Sequence, residues 1–146
     1  MRYKMRVRET VVLRAVAKAL IPFILIFALY VQFHGDFGPG GGFQAGVIFA
    51  SGFILYSLVF GLDALEEVVK PRVLEVMAAL GVLLYGGVGV ASLLRHGSFL
   101  DYGVLSHHDP VHGQHLGILL VELGVGIAVA AVMIAIFCQF AGRERD

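Results

Sequence analysis

The sequence predicts an all-α membrane protein with four transmembrane helices and both termini in the cytoplasm. Its 146 residues are 58% hydrophobic and only 15% charged. Soluble domains usually carry about 25% charged and 45–50% apolar residues, so this composition indicates that lipid is the solvent for much of the chain. The lengths of the apolar segments and the distribution of basic residues then give the number of spans and their orientation.

Four segments are long and apolar enough to cross a bilayer, which takes roughly 20 mainly apolar residues. They cover residues 11–33, 43–62, 73–94 and 116–139. Little chain remains outside them, so residues 1–146 are predicted to form a single membrane domain. Pro71 is predicted to open the third helix, and Asp109 followed by Pro110 is typical of an N-cap with proline in the first turn. The fourth helix therefore begins before its membrane span.

Basic residues are concentrated in every second segment outside the predicted spans, and an excess of basic residues marks the cytoplasmic side. The N-terminal segment, the 63–72 loop and the C-terminal tail contain several, whereas the 34–42 loop has none and the 95–115 loop has one. They are Arg2, Lys4, Arg6, Arg8, Lys70, Arg72, Arg143 and Arg145 on one side, and Arg95 on the other. This alternation agrees with four spans and predicts that both termini are cytoplasmic.

Charge and cysteine content exclude several classes of function. The formal net charge is zero, and the short basic N-terminus is too small for an arm that binds nucleic acid. The single cysteine, Cys138, excludes an internal disulfide and a cysteine-rich metal site, so we interpret it as a packing residue. The first span resembles a secretory signal, but no cleavage site follows it and we expect it to remain attached. The absence of long internal repeats argues against a self-contained transporter.

Glycine is abundant within the predicted spans, although it weakens isolated helices. In membranes, small residues four apart let two helix backbones approach closely. Pairs with this spacing are Gly42/Gly46, Gly87/Ala91, Gly113/Gly117 and Gly124/Ala128. Four helices can use only some of these faces on one another, so we predict that others contact a different polypeptide. The alternative is tight packing within this chain alone.

Glu122 lies about six residues into the fourth span. Placing this acid in the membrane costs on the order of 3 kcal/mol, which the apolar residues of the span offset. Helical spacing puts Glu122 on one face with Ile118, Gly126 and Ala130, and small residues there indicate contact with protein. Intramembrane acids are candidates for function. A proton or ion pathway and a structural hydrogen bond to a partner helix both remain open.

Histidines are concentrated before the fourth span. His115 precedes Glu122 by seven residues, on the same face and about 10 Å along the helix axis, which allows a water-linked relay. His108 and His112 are four apart, as zinc ligands often are, but Pro110 interrupts the stretch and no cysteine lies nearby. We therefore predict no metal site, and a polar loop at the outer membrane surface.

The segment between the first two spans, residues 34–46, reads HGDFGPGGGFQAG. It lacks the strand that a dinucleotide-binding motif needs and the Lys-Ser/Thr pair of a phosphate-binding loop. We predict a tight turn whose free amides cap the second helix near an ion path. His34, Asp36 and Gln44 are candidates for that path, with Ser51 on the same face as Gln44. Polar contacts within the core are the alternative.

Two motifs carry a family resemblance: PGGGFQAG at residues 39–46 and GILLVELGVGIAV at residues 117–129. With this spacing and number of spans, the chain resembles the B subunit of Mrp-type multisubunit sodium/proton antiporters, the MnhB domain family, over about residues 21–140. The residues that match the family motifs are Pro39, Gly40, Gly41, Gly42, Phe43, Gly46, Gly117, Glu122, Gly124 and Gly126.

The resemblance implies a small subunit of a large complex in a prokaryotic plasma membrane, which exchanges cytoplasmic sodium for external protons. Its partners would include large subunits that resemble the antiporter subunits of complex I and use intramembrane lysine and glutamate pairs. Because this chain lacks such pairs, we expect it to assist transport, not to be an enzyme, and to need no cofactor beyond the transported Na⁺ and H⁺. The alternatives are an equivalent subunit of a membrane-bound hydrogenase or related respiratory complex, and a purely structural scaffold.

Overall fold

The computed structural model of the protein describes residues 11–35, 40–106 and 108–143, and over these residues it is helical with short connections. The helices are α1 (Val11–His34), α2 (Gly42–Phe60), α3 (Leu62–Val68), α4 (Pro71–Leu94) and α5 (Pro110–Gly142), with a 3₁₀ turn at Tyr102–Leu105. Among the described residues, α1, α2, α4 and α5 are long and apolar enough to cross a membrane. The prediction of four transmembrane helices is confirmed.

The connection between the second and third spans differs from the prediction. The second span was expected to reach residue 62, but α2 ends at Phe60 because Gly61 has a positive φ of 104°. The 63–72 segment was predicted to be a polar loop, and this was wrong for its first half, which forms α3. Leu62 and Leu65 of α3 are buried, so the short helix packs its apolar side onto the bundle.

Helix α5 is central in the bundle. It packs against α2 on one side and α4 on the other, while α1 packs mainly against α2. The spatial order is therefore α1, α2, α5, α4. The buried cluster at one end of the bundle joins α2, α3, α4 and α5. It consists of Ala50, Leu62, Leu65, Leu74, Ala131 and Ile134.

Basic residues gather at the end of the bundle that contains this cluster. Arg14 and Lys18 of α1 lie 5.5 and 5.7 Å from the ring centroid of Phe60, at the end of α2. Lys70 and Arg72 flank the start of α4 at the same end. The cytoplasmic location of this end, and with it of both termini, stays a prediction.

The connection between α4 and α5 folds back onto both helices. The Arg95 guanidinium donates hydrogen bonds to the carbonyl oxygens of Leu105, at 2.7 Å, and Val104, at 3.4 Å. The Tyr102 ring packs against Gly117, where a Cβ would overlap it. Burial raises the pKa of Tyr102, and the neighbouring Tyr85 raises it further. The connection therefore packs against the C-terminal end of α4 and the N-terminal part of α5.

Asp109 is the N-cap of α5, as the sequence predicted. Its Oδ1 accepts hydrogen bonds from the backbone N–H groups of Val111, at 2.9 Å, and His112, at 3.4 Å. Asp109→Ala is expected to destabilise the protein by about 1 kcal/mol, because these amides lose their acceptor. Thermal unfolding of the purified complex measures this change. Asp109→Asn, which keeps an acceptor oxygen, is the control, and equal midpoints for the two variants would contradict the capping role.

Most of the predicted small-residue pairs are used within the chain. Gly42 and Gly46 meet α5, Gly113 and Gly117 meet the α4–α5 connection, and Gly124 meets α4. At Gly87, by contrast, no described atom lies within 4 Å of a built Cβ. The prediction that a small-residue face contacts another polypeptide therefore now concerns the Gly87/Ala91 pair.

Candidate functional site

The N-terminus of α2 crosses α5 at Glu122 and Gly126. A Cβ built on Gly42 would overlap the carbonyl oxygen of Glu122, and one on Gly46 would lie 2.7 Å from the carbonyl oxygen of Gly126. Only hydrogen can occupy these positions, since both obstacles are backbone atoms. Two glycines of the PGGGFQAG motif thus bring the start of α2 into contact with the backbone of α5.

The Glu122 carboxyl group lies between the end of α1 and the start of α2. A Cβ on Gly35 would be 2.6 Å from its Oε2, and a Cβ on Gly41 would be 3.7 Å from its Oε1. Gly41 has a φ of 144°, a conformation that side chains disfavour. The first amides of α2 carry a partial positive charge of about half a unit, which favours an anion at this position.

Glu122 lines a pocket of about 350 Å³ that also contains two histidines. His112, His115, Leu119 and Glu122 are spaced by three or four residues and therefore follow one face of α5. His112 and His115 are exposed, whereas Glu122 is half-buried. The pocket is lined by Gln32, Phe33, His112, His115, Leu116, Leu119 and Glu122. The predicted common face of His115 and Glu122 is confirmed, and a relay between them stays a prediction.

Gln32 of α1 is a site residue that the sequence analysis missed. It is only 5% exposed, and its Nε2 has no hydrogen-bond partner among the described residues. Its Oε1 faces α5 where Gly126 has no side chain. One signal could have identified it: Gln32 is an amide directly after the apolar run 19–31, one turn from Ala28. An intramembrane polar residue beside a small one is the pattern that identified Glu122.

The polar candidates His34 and Gln44, on either side of the connection between α1 and α2, do not line this pocket. His34 is half-buried and stacks on Tyr30, with ring centroids 5.1 Å apart. Gln44 is exposed and does not line the pocket, and Ser51 on its face is also exposed. The hydroxyl of Ser51 donates to the carbonyl oxygen of Ile48, at 2.6 Å. Roles for His34 and Gln44 in an ion path stay predictions.

The remaining candidate residues between His34 and Gly46 are Asp36, Pro39, Gly40 and Phe43. Asp36 and Pro39 lie outside the described residues. Gly40 approaches α1, since a Cβ there would be 2.8 Å from the carbonyl oxygen of Val31, and Phe43 is 65% exposed.

Three glycines of the motif at residues 117–129 allow α5 to contact three different neighbours. Gly117 lies against the Tyr102 ring, Gly124 is close to the carbonyl oxygen of Gly81 in α4, and Gly126 lies against Gln32 and Gly42. A Cβ on Gly81 would in turn be 2.6 Å from the carbonyl oxygen of Gly124. Each glycine therefore admits a different neighbour, and together they make α5 the central helix.

Metal ligation has no support in the described part of the chain. Within those residues no group of three or more His, Cys, Asp and Glu side chains is placed to hold a metal ion. The acidic and imidazole groups of the pocket can instead exchange protons, and a carboxylate can bind a monovalent cation. The arrangement is a pocket between the last residues of α1 and one face of α5, lined by both polar and apolar side chains.

Comparisons with known proteins identify the family. The domain family described as "Domain related to MnhB subunit of Na+/H+ antiporter" matches residues 12–135. Relatives named "Putative antiporter subunit mnhB2", from the Newman, JH1 and Mu3 strains of Staphylococcus aureus, are each 33% identical over 134 residues. These alignments cover 90% of this chain and 94% of each relative. The chain thus belongs to the family of domains related to the MnhB subunit of Na⁺/H⁺ antiporters.

Proposed function

We propose that this chain is a small, multi-pass membrane subunit of a multisubunit Na⁺/H⁺ antiporter in a prokaryotic plasma membrane, and that its Glu122 pocket is part of the ion route. The family match over residues 12–135 and the antiporter name of the relatives support the first part. The four membrane-length helices agree with it. The observation that carries the second part is the shared pocket of Glu122 and His115.

The chemistry of Glu122 suits an exchange of cations. A carboxylate can bind a proton or lie beside a sodium ion. Because either cation neutralises its negative charge, binding of one weakens binding of the other. The exposed histidines at the mouth of the pocket are the groups that a proton or hydrated ion would meet before Glu122. In this proposal the transported Na⁺ and H⁺ are the only ligands of the site, with no further cofactor.

Other subunits are the expected partners, including large ones that resemble the antiporter subunits of complex I. The outward faces support contact with protein as well as lipid, since no described atom lies within 4 Å of a Cβ built at Gly86 or Gly87 of α4. Helices associate in membranes through such small-residue faces. The large partners would supply the driving machinery, and this chain would assist transport without catalysing a reaction.

Two other functions are weaker candidates. A subunit of a membrane-bound hydrogenase or related respiratory complex is less favoured, because both the family description and the relatives name an antiporter. A purely structural scaffold would explain the helix crossings. It would not require a carboxylate at Glu122, whose placement in the membrane costs on the order of 3 kcal/mol.

Glu122→Gln tests the proposed ion route. The substitution keeps the size of the side chain and removes its charge and its exchangeable acid proton. We expect sodium-dependent proton exchange in inverted vesicles containing the whole complex to fall at least about tenfold, equivalent to a barrier increase of roughly 1.4 kcal/mol. All subunits should still co-purify, because the amide retains the shape of the side chain.

Glu67→Gln is the matched control, since Glu67 is exposed on α3 and does not line the Glu122 pocket. It makes the same chemical change and should leave exchange unchanged. Full exchange activity with Glu122→Gln would contradict a role in the ion route and leave the scaffold function. A complex that failed to assemble would show that Glu122 stabilises an interface.

A further inference from the structure

Gln32 lies at the boundary between two cavities of different character. On one side is the pocket of His115 and Glu122, and on the other is an apolar cavity of about 290 Å³ lined by residues of α1, α2, α4 and α5. Gln32 lines both cavities. Representative residues of the apolar cavity are Ala28, Phe49, Phe53, Met77, Ala130 and Ile134.

The unpartnered amide of Gln32 requires an acceptor. Leaving a buried N–H without a hydrogen bond destabilises the folded protein, and the hydrocarbon core offers no bulk water to replace the bond. The Nε2 group has no partner among the described residues although the residue is only 5% exposed. A molecule that accepts a hydrogen bond and enters a narrow membrane pocket is therefore needed beside Gln32.

Water is the acceptor that suits the pocket. A buried water needs two to four polar partners and occupies about 30 Å³ in the liquid, so a pocket of about 350 Å³ has room for several. Gln32, Glu122 and His115 all line that pocket. The apolar cavity lacks comparable partners apart from Gln32 itself, and cavities of that kind remain dry.

We propose that Gln32 Nε2 binds a water molecule that hydrates Glu122 and forms the inner end of an aqueous access path from His115. Gln32 is then a positioning residue, which acts on ions through water and Glu122. This inference deepens the proposed function and depends on it for the link to transport. The hydration itself is independent of transport.

The lengths of the two cavities predict that access is one-sided. The predicted fourth span begins at residue 116, so Glu122 lies six residues, or about 9 Å, into a hydrocarbon core of about 30 Å. From Leu123 to Ile134 α5 advances a further 16 Å or so beside the apolar cavity. Water should therefore reach Gln32 from the His115 end and stop there.

Cysteine accessibility measures this directly, because Cys138 is the single cysteine of the chain. In a Cys138→Ser background, Gln32→Cys is introduced into the whole complex. Right-side-out and inverted vesicles are treated with a charged, membrane-impermeant methanethiosulfonate, and modification is read from the mass of this chain. His115→Cys is the control for the mouth of the pocket. Ala28→Cys is the control for the dry side, since Ala28 is 1% exposed and lines only the apolar cavity.

We expect Gln32→Cys to react from one side of the membrane only, the side from which His115→Cys reacts. It should react at least about tenfold faster than Ala28→Cys, because a hydrated thiol ionises more readily than one in apolar surroundings. Equal rates for Gln32→Cys and Ala28→Cys, or reaction from both sides, would overturn the inference. Lost exchange in Glu122→Gln together with an unreactive Gln32→Cys would leave the proposed function intact.

A second pair of variants covers the case in which Gln32→Cys does not assemble. Gln32→Leu removes the amide at similar size and should lower exchange roughly tenfold in an assembled complex, the scale of losing about 1.4 kcal/mol. Gln32→Asn retains an amide and should restore part of that loss. Equal exchange by the Leu and Asn variants would show that the amide has no role beyond packing, and the inference would fail.

Discussion

Gly42→Ala is expected to weaken the crossing of α2 and α5 and to lower the thermal stability of the complex. The added methyl group would overlap the carbonyl oxygen of Glu122 and would lie 3.0 Å from the backbone nitrogen of Gly126. Both atoms belong to the backbone of α5 and cannot rotate away, so the two helices must separate. Overpacking of this kind costs about 1–3 kcal/mol. The shift would also displace the Glu122 carboxyl group and lower sodium-dependent proton exchange.

Thermal unfolding and co-purification of the whole complex measure the effect of Gly42→Ala. Gly142→Ala is the matched control, because it also lies at the end of a helix and no described atom is within 4 Å of a Cβ there. Alanine is favoured over glycine in helices by up to about 1 kcal/mol, so the control should be neutral or slightly stabilising. Equal unfolding midpoints for Gly42→Ala and wild type would contradict the close backbone contact.

Hydropathy and helix signals predicted most of the fold. The four spans were found because apolar segments of membrane length are a strong signal, and Asp109 was recognised as an N-cap because Pro110 follows it. The short helix α3 was missed because Leu62–Val68 contains several charged residues and is too short for a clear period. The order α1, α2, α5, α4 could not be predicted, because it depends on which glycines meet which backbone.

The site was predicted in part. Glu122 and its face were identified because an acid within an apolar span is a strong signal, and Gly126 and Ala130 of that face are buried as expected. Gln44 was grouped with the site because it is close in sequence, yet it is exposed. Gln32 was not predicted, because an uncharged amide near the end of an apolar span is a weak signal in the sequence. Its importance comes from burial and from Gly126, which are properties of the packed structure.

Gly126→Ala is expected to act through Gln32, and a double-mutant cycle can show it. A Cβ on Gly126 would overlap the Gln32 side-chain oxygen, so the amide must leave its position beside α5. In a Gln32→Ala background that obstacle is absent, and the nearest atom outside Gln32, the carbonyl oxygen of Gly42, would be 3.3 Å away. Contacting residues typically show coupling energies of about 0.5–3 kcal/mol. Gly126→Ala should therefore be less destabilising in the double variant than alone.

The matched cycle pairs Gln32→Ala with Gly81→Ala, whose methyl group would meet the Gly124 carbonyl oxygen and Ala128 and would not meet Gln32. These two changes should be additive, within about 0.5 kcal/mol, because they share no neighbour. Unfolding midpoints of the assembled complexes give both couplings. Exchange should also fall with Gly126→Ala, since a displaced Gln32 no longer lies between the Glu122 pocket and the apolar cavity. Additivity in both cycles would mean that Gln32 is free to move without cost, and would contradict its fixed place beside Gly126.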